Sequence, residues 1–174
     1  MDNPISQRAR TLIAEGAIGR PVAANVLATW MKPAPYFDLA EIGAVVVKSL
    51  AAFEWKGNPS PRVHPAGEGM INAVGLQGPG VQHWLADDLP ALAATGARVV
   101  VSIWGRSMDD YRAAAEMLAS APSNVIAVEV NLSCPNLEGR RGIFAHDADL
   151  SAEVMRATAS CGRPRWAKLS ANTD

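Results

Sequence analysis

Residues Val125–Asn136 read VIAVEVNLSCPN, an apolar Val/Ile-rich run that gives way to two amides flanking a thiol. The part Val125–Leu132 is continuous rather than alternating, the pattern of a parallel strand covered on both faces. Asn131, Cys134 and Asn136 then gather at its carboxyl end, with Pro135 stiffening the turn. Three further segments read as strands: Gly43–Ser49 (GAVVVKS), Ala97–Trp104 (ARVVVSIW) and Arg165–Ser170 (RWAKLS). Each carries polar residues toward its end: Lys48 and Ser49, Ser102, then Lys168 and Ser170.

Helical patterns lie between these strands. Ser107 is an N-cap, Asp109 and Asp110 suit the positive end of the helix dipole, and Tyr111, Ala114, Ala115 and Leu118 form one apolar stripe. Asp149 opens a second helix, DLSAEVMRATAS, which Gly162 and Pro164 close. A third runs from about Val81 to Thr95, with Pro90 kinking or splitting it. Alternating strands and helices predict an α/β fold with a parallel sheet. A flavodoxin-like open sheet and part of a (β/α)₈ barrel both fit. Length favours the open sheet, because a complete barrel takes about 250 residues. Polar residues at the ends of several strands favour the barrel, whose sites draw on many strand ends. Pattern alone leaves the two open. The Gly- and Pro-rich segment Trp55–Gly80 reads as an elaborated loop or hairpin over the site.

A net charge of −1 without blocks of like charge gives no reason to expect nucleic acid or an anionic membrane surface as partner. Cys134 and Cys161 have no C-x-x-C spacing, so a reducing, cytoplasmic compartment is the simplest expectation. The N-terminus lacks the basic start and apolar run of a signal peptide, and no apolar stretch approaches the roughly 20 residues of a membrane helix. His64, His83 and His146 lack metal-ligand spacing, the first and last reading as loop residues and His83 as helical, and no metal site is expected. Dinucleotide, Walker-type, nucleophile-elbow and HExxH motifs are missing as well.

The chemistry of the strand ends admits more than one reading. The amides beside Cys134 can grip a planar imide such as a pyrimidine while the thiol takes a proton from carbon. The same residues equally describe a small buried cysteine in a tight turn. Lys48 and Lys168 suit a fixed positive charge near an anionic ligand or reduced flavin, or a Schiff-base nucleophile, or a lysine that merely snorkels at the sheet's edge. Gly69–Leu76 (GMINAVGL) offers Asn72 and the backbone amides around Gly75 to a closely held ligand, or is a glycine-rich turn with none.

Taken together and in order, GAVVVKSL, GNPSPR, GMINAVGLQGPG, VEVNLSCPN and AKLSANTD resemble the class 1 dihydroorotate dehydrogenase family from about Phe37 onward. The resemblance implies an FMN-dependent barrel oxidising dihydroorotate to orotate. Lys48 would contact FMN and orotate, and Ser49 the flavin. Asn72, with the backbone of Val74, Gly75 and Leu76, would hold substrate; Asn131 would touch flavin and substrate, and Asn136 the pyrimidine. Lys168 would stand near the flavin ring. Cys134 would be the base taking the C5 proton as hydride leaves C6. Class 2 members place serine there, so cysteine points to class 1. Asn136 separates the chain from the dihydropyrimidine dehydrogenase barrel, which carries histidine at that place and is the nearest alternative.

Two features depart from the family pattern. The opening Ala-Ser-Gly turn is missing, and residues 6–31 resemble a helix–strand piece of the Gfo/Idh/MocA oxidoreductases, so residues 1–36 are expected to form a divergent segment and 37–174 an incomplete barrel. The chain ends at Asp174, just after the fifth expected strand and before the turns that bind FMN phosphate. The expectation is a partial barrel, truncated before closure, that binds FMN weakly or not at all and is inactive alone. Its partners would be dihydroorotate and orotate, with a completing homodimer and an electron-transfer subunit as further candidates. A Schiff-base aldolase and a non-catalytic assembly fragment are the readings from other classes.

Overall fold

The computed structural model describes the backbone of residues 24–25 and residues 43–67, 69–133 and 144–169. Five parallel strands form one sheet: β1 (Ala24–Asn25), β2 (Val45–Val46), β5 (Val99–Ile103), β6 (Val125–Asn131) and β7 (Arg165–Lys168). A separate antiparallel hairpin, β3 (Val63–Ala66) with β4 (Gly69–Asn72), interrupts the series. The sheet order β1-β2-β5-β6-β7 follows the chain, each strand adding beside the last. A doubly wound sheet would reverse direction at a switch point. The sequential order is that of a barrel wall, here an open five-stranded arc, and it decides between the two architectures that the sequence pattern left open.

Period-two alternation divides each strand between two sides. Val99, Val101, Ile103, Val128 and Val130 pack on one side against Val81, Trp84, Leu89, Tyr111, Leu118 and Val154 of the helical layer. Burying each such side chain contributes about 1.5–3 kcal/mol, so this layer is the chief source of stability. Val46, Val100 and Ala127 form a smaller apolar layer on the opposite side, which we call the inner side.

The helices follow their sequence signals closely, with local differences. Helix α1 (Val81–His83), a π-helical turn (Trp84–Asp88) and α2 (Leu89–Ala94) run as one rod, capped at Thr95. Pro90 stands in the first turn of α2, and the ladder widens ahead of it, Leu89 N–H bonding the Trp84 carbonyl. The rod is thus neither split nor ended by proline; the π turn absorbs the missing donor. Helix α3 (Met108–Met117) begins at Ser107, whose hydroxyl accepts from Asp110 N at 3.2 Å while Asp110 Oδ2 accepts from Ser107 N. This reciprocal capping box is the predicted start. Gly105 permits the tight entry, since a Cβ there would lie 2.9 Å from Tyr111 N. Helix α4 (Ala148–Ala157) is capped by Asp147, not Asp149; Asp147 Oδ1 accepts from Leu150 N at 2.9 Å and Asp149 falls in the first turn. A 3₁₀ turn, Thr158–Cys161, continues it to Gly162, which adopts the left-handed conformation.

The first predicted strand is shorter than its apolar run. Only Val45–Val46 pair regularly, and the chain rejoins β5 at Leu50 opposite Ile103. Between these contacts the first strand spans four residues where β5 spans three. That extra residue acts as a bulge and re-aims the side chains after it. His64 lies in β3 and His146 in a 3₁₀ turn rather than in irregular loops.

Candidate active site

The polar residues at the strand ends meet on the inner side. Asn131 Nδ2 donates to Ser49 Oγ at 3.0 Å, Ser49 and Ser102 hydroxyls are 2.8 Å apart, and Ser102 Oγ donates to Glu129 Oε1 at 2.7 Å. Lys168 Nζ reaches the same carboxylate oxygen at 2.9 Å. Ser49, Ser102, Glu129 and Asn131 are all buried, and the Lys168 side chain is about one-third exposed. Strands β5, β6 and β7 and the segment that follows β2 contribute, with Ser102 in register with Glu129 and Asn131 with Lys168. The bulge after Val46 is what brings the Ser49 hydroxyl onto this side while Leu50 joins the helix-side core. Two residues before Ser102 and Glu129 on their strands stand Val100 and Ala127, so the floor of the network is apolar.

A second group of predicted residues is positioned by the hairpin. Asn72 is exposed at the end of β4, and Gly69–Asn72 is a strand rather than a glycine-rich turn. The irregular segment begins after it. Asn58 N donates to the Val74 carbonyl at 3.0 Å, Asn58 Nδ2 to Ala73 O at 2.8 Å, and Trp55 Nε1 to Gly75 O at 2.9 Å. Gly75 (φ 75) and Leu76 (φ 60) both adopt left-handed backbone. A Cβ on Gly75 would lie 2.7 Å from Asn58 Cγ, so glycine is required for space as well as for φ. Leu76 tolerates a conformation costing about 1–2 kcal/mol because its side chain is buried with Ala51 and Trp104 at the ends of the β2 and β5 region. The backbone of Val74, Gly75 and Leu76 is thereby tied to the same end of the sheet as the polar network.

Of the predicted site residues, the structure joins Ser49, Asn131 and Lys168 in one network and docks Val74, Gly75 and Leu76 nearby. Lys48 is exposed beside Ser49, and Asn72 is exposed on the hairpin. Cys134, Asn136 and Ser170 lie outside the described residues. Ser102, one of the polar residues expected at the strand ends, and Glu129, which the sequence pattern does not single out, complete the network. The available signal for Glu129 was a single carboxylate inside a Val-rich buried strand. Among the described residues no group of three His, Cys, Asp or Glu could hold a metal ion.

Sequential parallel strands with polar side chains gathered toward their carboxyl ends are the arrangement of a (β/α)₈-barrel wall. The chain belongs to the dihydroorotate dehydrogenase family, whose profile, described as "Dihydroorotate dehydrogenase", matches residues 21–174. The catalytic subunit of dihydroorotate dehydrogenase B (NAD(+)) from Desulforudis audaxviator is 44% identical over 140 residues, covering 80% of this chain and 45% of that protein. The corresponding subunit from Alkaliphilus metalliredigens is 40% identical over 138 residues, covering 79% of this chain and 45% of that protein. The chain thus spans about half the length of the curated relatives it matches. A crystal structure of DHODH from Eimeria tenella in complex with ferulenol superposes with a TM-score of 0.63 at 17% identity, covering 97% of this chain and 59% of that one. That likeness is one of fold.

Proposed function

We propose that this chain supplies the first part of the active site of a class 1 dihydroorotate dehydrogenase, which converts dihydroorotate to orotate with FMN. The observation that carries the reading is the buried network joining Ser49, just after β2, with Asn131 and Lys168 across β5, β6 and β7. Its donors suit an electron-rich planar ring. Lys168 Nζ spends one of three N–H groups on Glu129, and Asn131 Nδ2 spends one of two on Ser49, leaving donors for a flavin edge or a pyrimidine carbonyl. When bound, FMN would supply a two-electron hydride acceptor. Ser49, Asn131 and Lys168 would hold it, with Lys48 reaching both cofactor and substrate. Asn72, Asn136 and the backbone of Val74–Leu76 would orient the pyrimidine. Cys134 Sγ would take the C5 proton of dihydroorotate as hydride leaves C6, so that substrate loses two electrons and two hydrogens.

The names of the relatives, catalytic subunits of an NAD(+) enzyme, support an electron-transfer subunit as partner, and the cytoplasm is the setting that goes with this proposal. Among the described residues no helix is long and apolar enough to cross a membrane. A homodimer that covers the open inner side is a further assembly consistent with the arc. The test is to titrate the purified chain with FMN and then orotate, following flavin absorbance and fluorescence. The expected result is weak flavin binding, saturable only at high FMN, whose spectrum shifts on adding orotate. Flavin that binds without responding to orotate would sink the substrate assignment, and absence of binding would mean that this chain does not make the site by itself.

A further inference from the structure

The hydrogen bonds of the inner side have a direction, and it leads to one group. A carboxylate only accepts, so the Ser102 hydroxyl proton is committed to Glu129 Oε1. The 2.8 Å contact between the two serine hydroxyls is therefore donated by Ser49. Ser49 Oγ in turn accepts from Asn131 Nδ2, which holds that end of the Asn131 amide. Its Oδ1 is left to accept from Ser133 N at 3.2 Å and Ser133 Oγ at 3.1 Å. The same Glu129 oxygen holds Lys168. One carboxylate thus sets both a cation and, through two hydroxyls, an amide.

Stability does not explain the carboxylate. Burying a charge carries a desolvation penalty of several kcal/mol, and an apolar residue of similar volume often serves a core as well. The neighbouring inner positions, Val100 and Ala127, are in fact apolar. We propose that Glu129 is a positioning residue: it anchors Lys168 directly and holds the Nδ2 end of the Asn131 amide in place through Ser102 and Ser49. The inference rests on the flavin and orotate site proposed above, for which these two groups are the donors. Glu129 itself touches neither ligand in this reading; it fixes the groups that do, as a preorganised supporting shell.

The two arms can be read without any ligand. In the ¹⁵N-labelled chain, the Asn131 side-chain amide signal, assigned by its loss in Asn131→Asp, reports the relay. The acylation rate of Lys168, followed by peptide mass spectrometry, reports the ion pair. Ser102→Ala should move the Asn131 signal and leave Lys168 acylation at the wild-type rate. Glu129→Leu should move the signal and raise acylation severalfold. Glu129→Gln keeps an acceptor oxygen, so it should hold the amide in place while still raising acylation. A merely structural role could not separate these effects. An Asn131 signal unmoved by Ser102→Ala, or equal acceleration of Lys168 in Ser102→Ala and Glu129→Gln, would overturn the proposal, and neither comparison requires Glu129→Leu to fold. With FMN added, the midpoint potential should rise in Glu129→Gln, because the cation loses its counter-charge. An unchanged potential would overturn the Lys168 arm. Failure of the wild-type chain to bind FMN would mean that this chain does not make the flavin site by itself, and the amide and acylation readouts would still decide the role of Glu129.

Discussion

The same two strands serve opposite purposes on their two sides. On β5, Val99, Val101 and Ile103 enter the helix-side core, while Ser102 between them turns to the inner side. On β6, Val128 and Val130 alternate with Glu129 and Asn131 in the same way. One side is a continuous apolar layer; the other is apolar below and hydrogen-bonded above. A step of one residue changes a side chain's work from holding the fold to holding a donor in place, because register in a strand fixes facing. The lesson is that stability and chemistry here share elements yet are separable residue by residue. Substitutions on the first side should act on folding, and those on the second chiefly on ligand response.

The largest expected effect is on the helix side. Ile103→Ala empties a fully buried position and should cost about 2–5 kcal/mol, the usual range for such truncations. Chemical denaturation would show it as a lower midpoint. A loss below that of the inner-side variants would break the comparison outright. Next comes the bond that crosses between the two sides. Tyr111, on α3, donates from its hydroxyl to the Asn131 carbonyl at 2.7 Å, so the helical layer pins the backbone of a site residue. Tyr111→Phe keeps the ring contact with Phe144 and leaves that carbonyl without this donor. We expect a loss of about 1–3 kcal/mol, together with weaker orotate response of the bound flavin. A stability loss with no change in that response would show that the two sides are more independent than the geometry indicates.

Much of this division was legible before the fold was seen. Continuous Val-rich runs gave buried parallel strands, Ser107 with Asp110 gave a helix start, and the strand ends gave most of the candidate site. What stayed hidden was relational. Whether the sheet was open or barrel-like depended on strand order, which no local pattern contains. Asp147 and Asp149 are both capable caps, and only the extended backbone at Asp147 selects it. The π turn ahead of Pro90 is a three-dimensional remedy for a missing donor that the sequence shows only as a fault. Glu129 was passed over because its meaning comes from Ser102, 27 residues earlier, and from Lys168 on the next strand. The bulge that turns Ser49 inward is likewise a matter of pairing, not of composition.

A smaller effect is expected one residue before Ile103. Ser102→Ala removes a hydroxyl whose partners, Ser49 and Glu129, each keep another contact, with Asn131 and Lys168 respectively. Its cost should be about 1 kcal/mol, that of one ordinary hydrogen bond, while the flavin's response to orotate falls. A loss rivalling that of Ile103→Ala in the same denaturation series would mean that the network is a folding element after all.

The smallest effect is expected in the region that belongs to neither side. Every residue of β3 and β4 is exposed, Ile71 and Met70 among them at 68% and 69%. Ile71 pairs across the hairpin with His64, and among the described residues the bonds from Trp55 and Asn58 to the Ala73–Gly75 backbone tie the hairpin to the rest of the protein below its tip. Ile71→Lys therefore removes no core contact and should change stability by no more than about 0.5 kcal/mol. The denaturation midpoint checks this directly. A larger loss would mean that the hairpin's apolar surface is covered by something in solution, most simply a second copy of the chain. Sedimentation of the wild-type and Ile71→Lys chains would then separate that case, a shift toward monomer in the variant, from an unexpected contact within one chain, which would leave the oligomeric state unchanged.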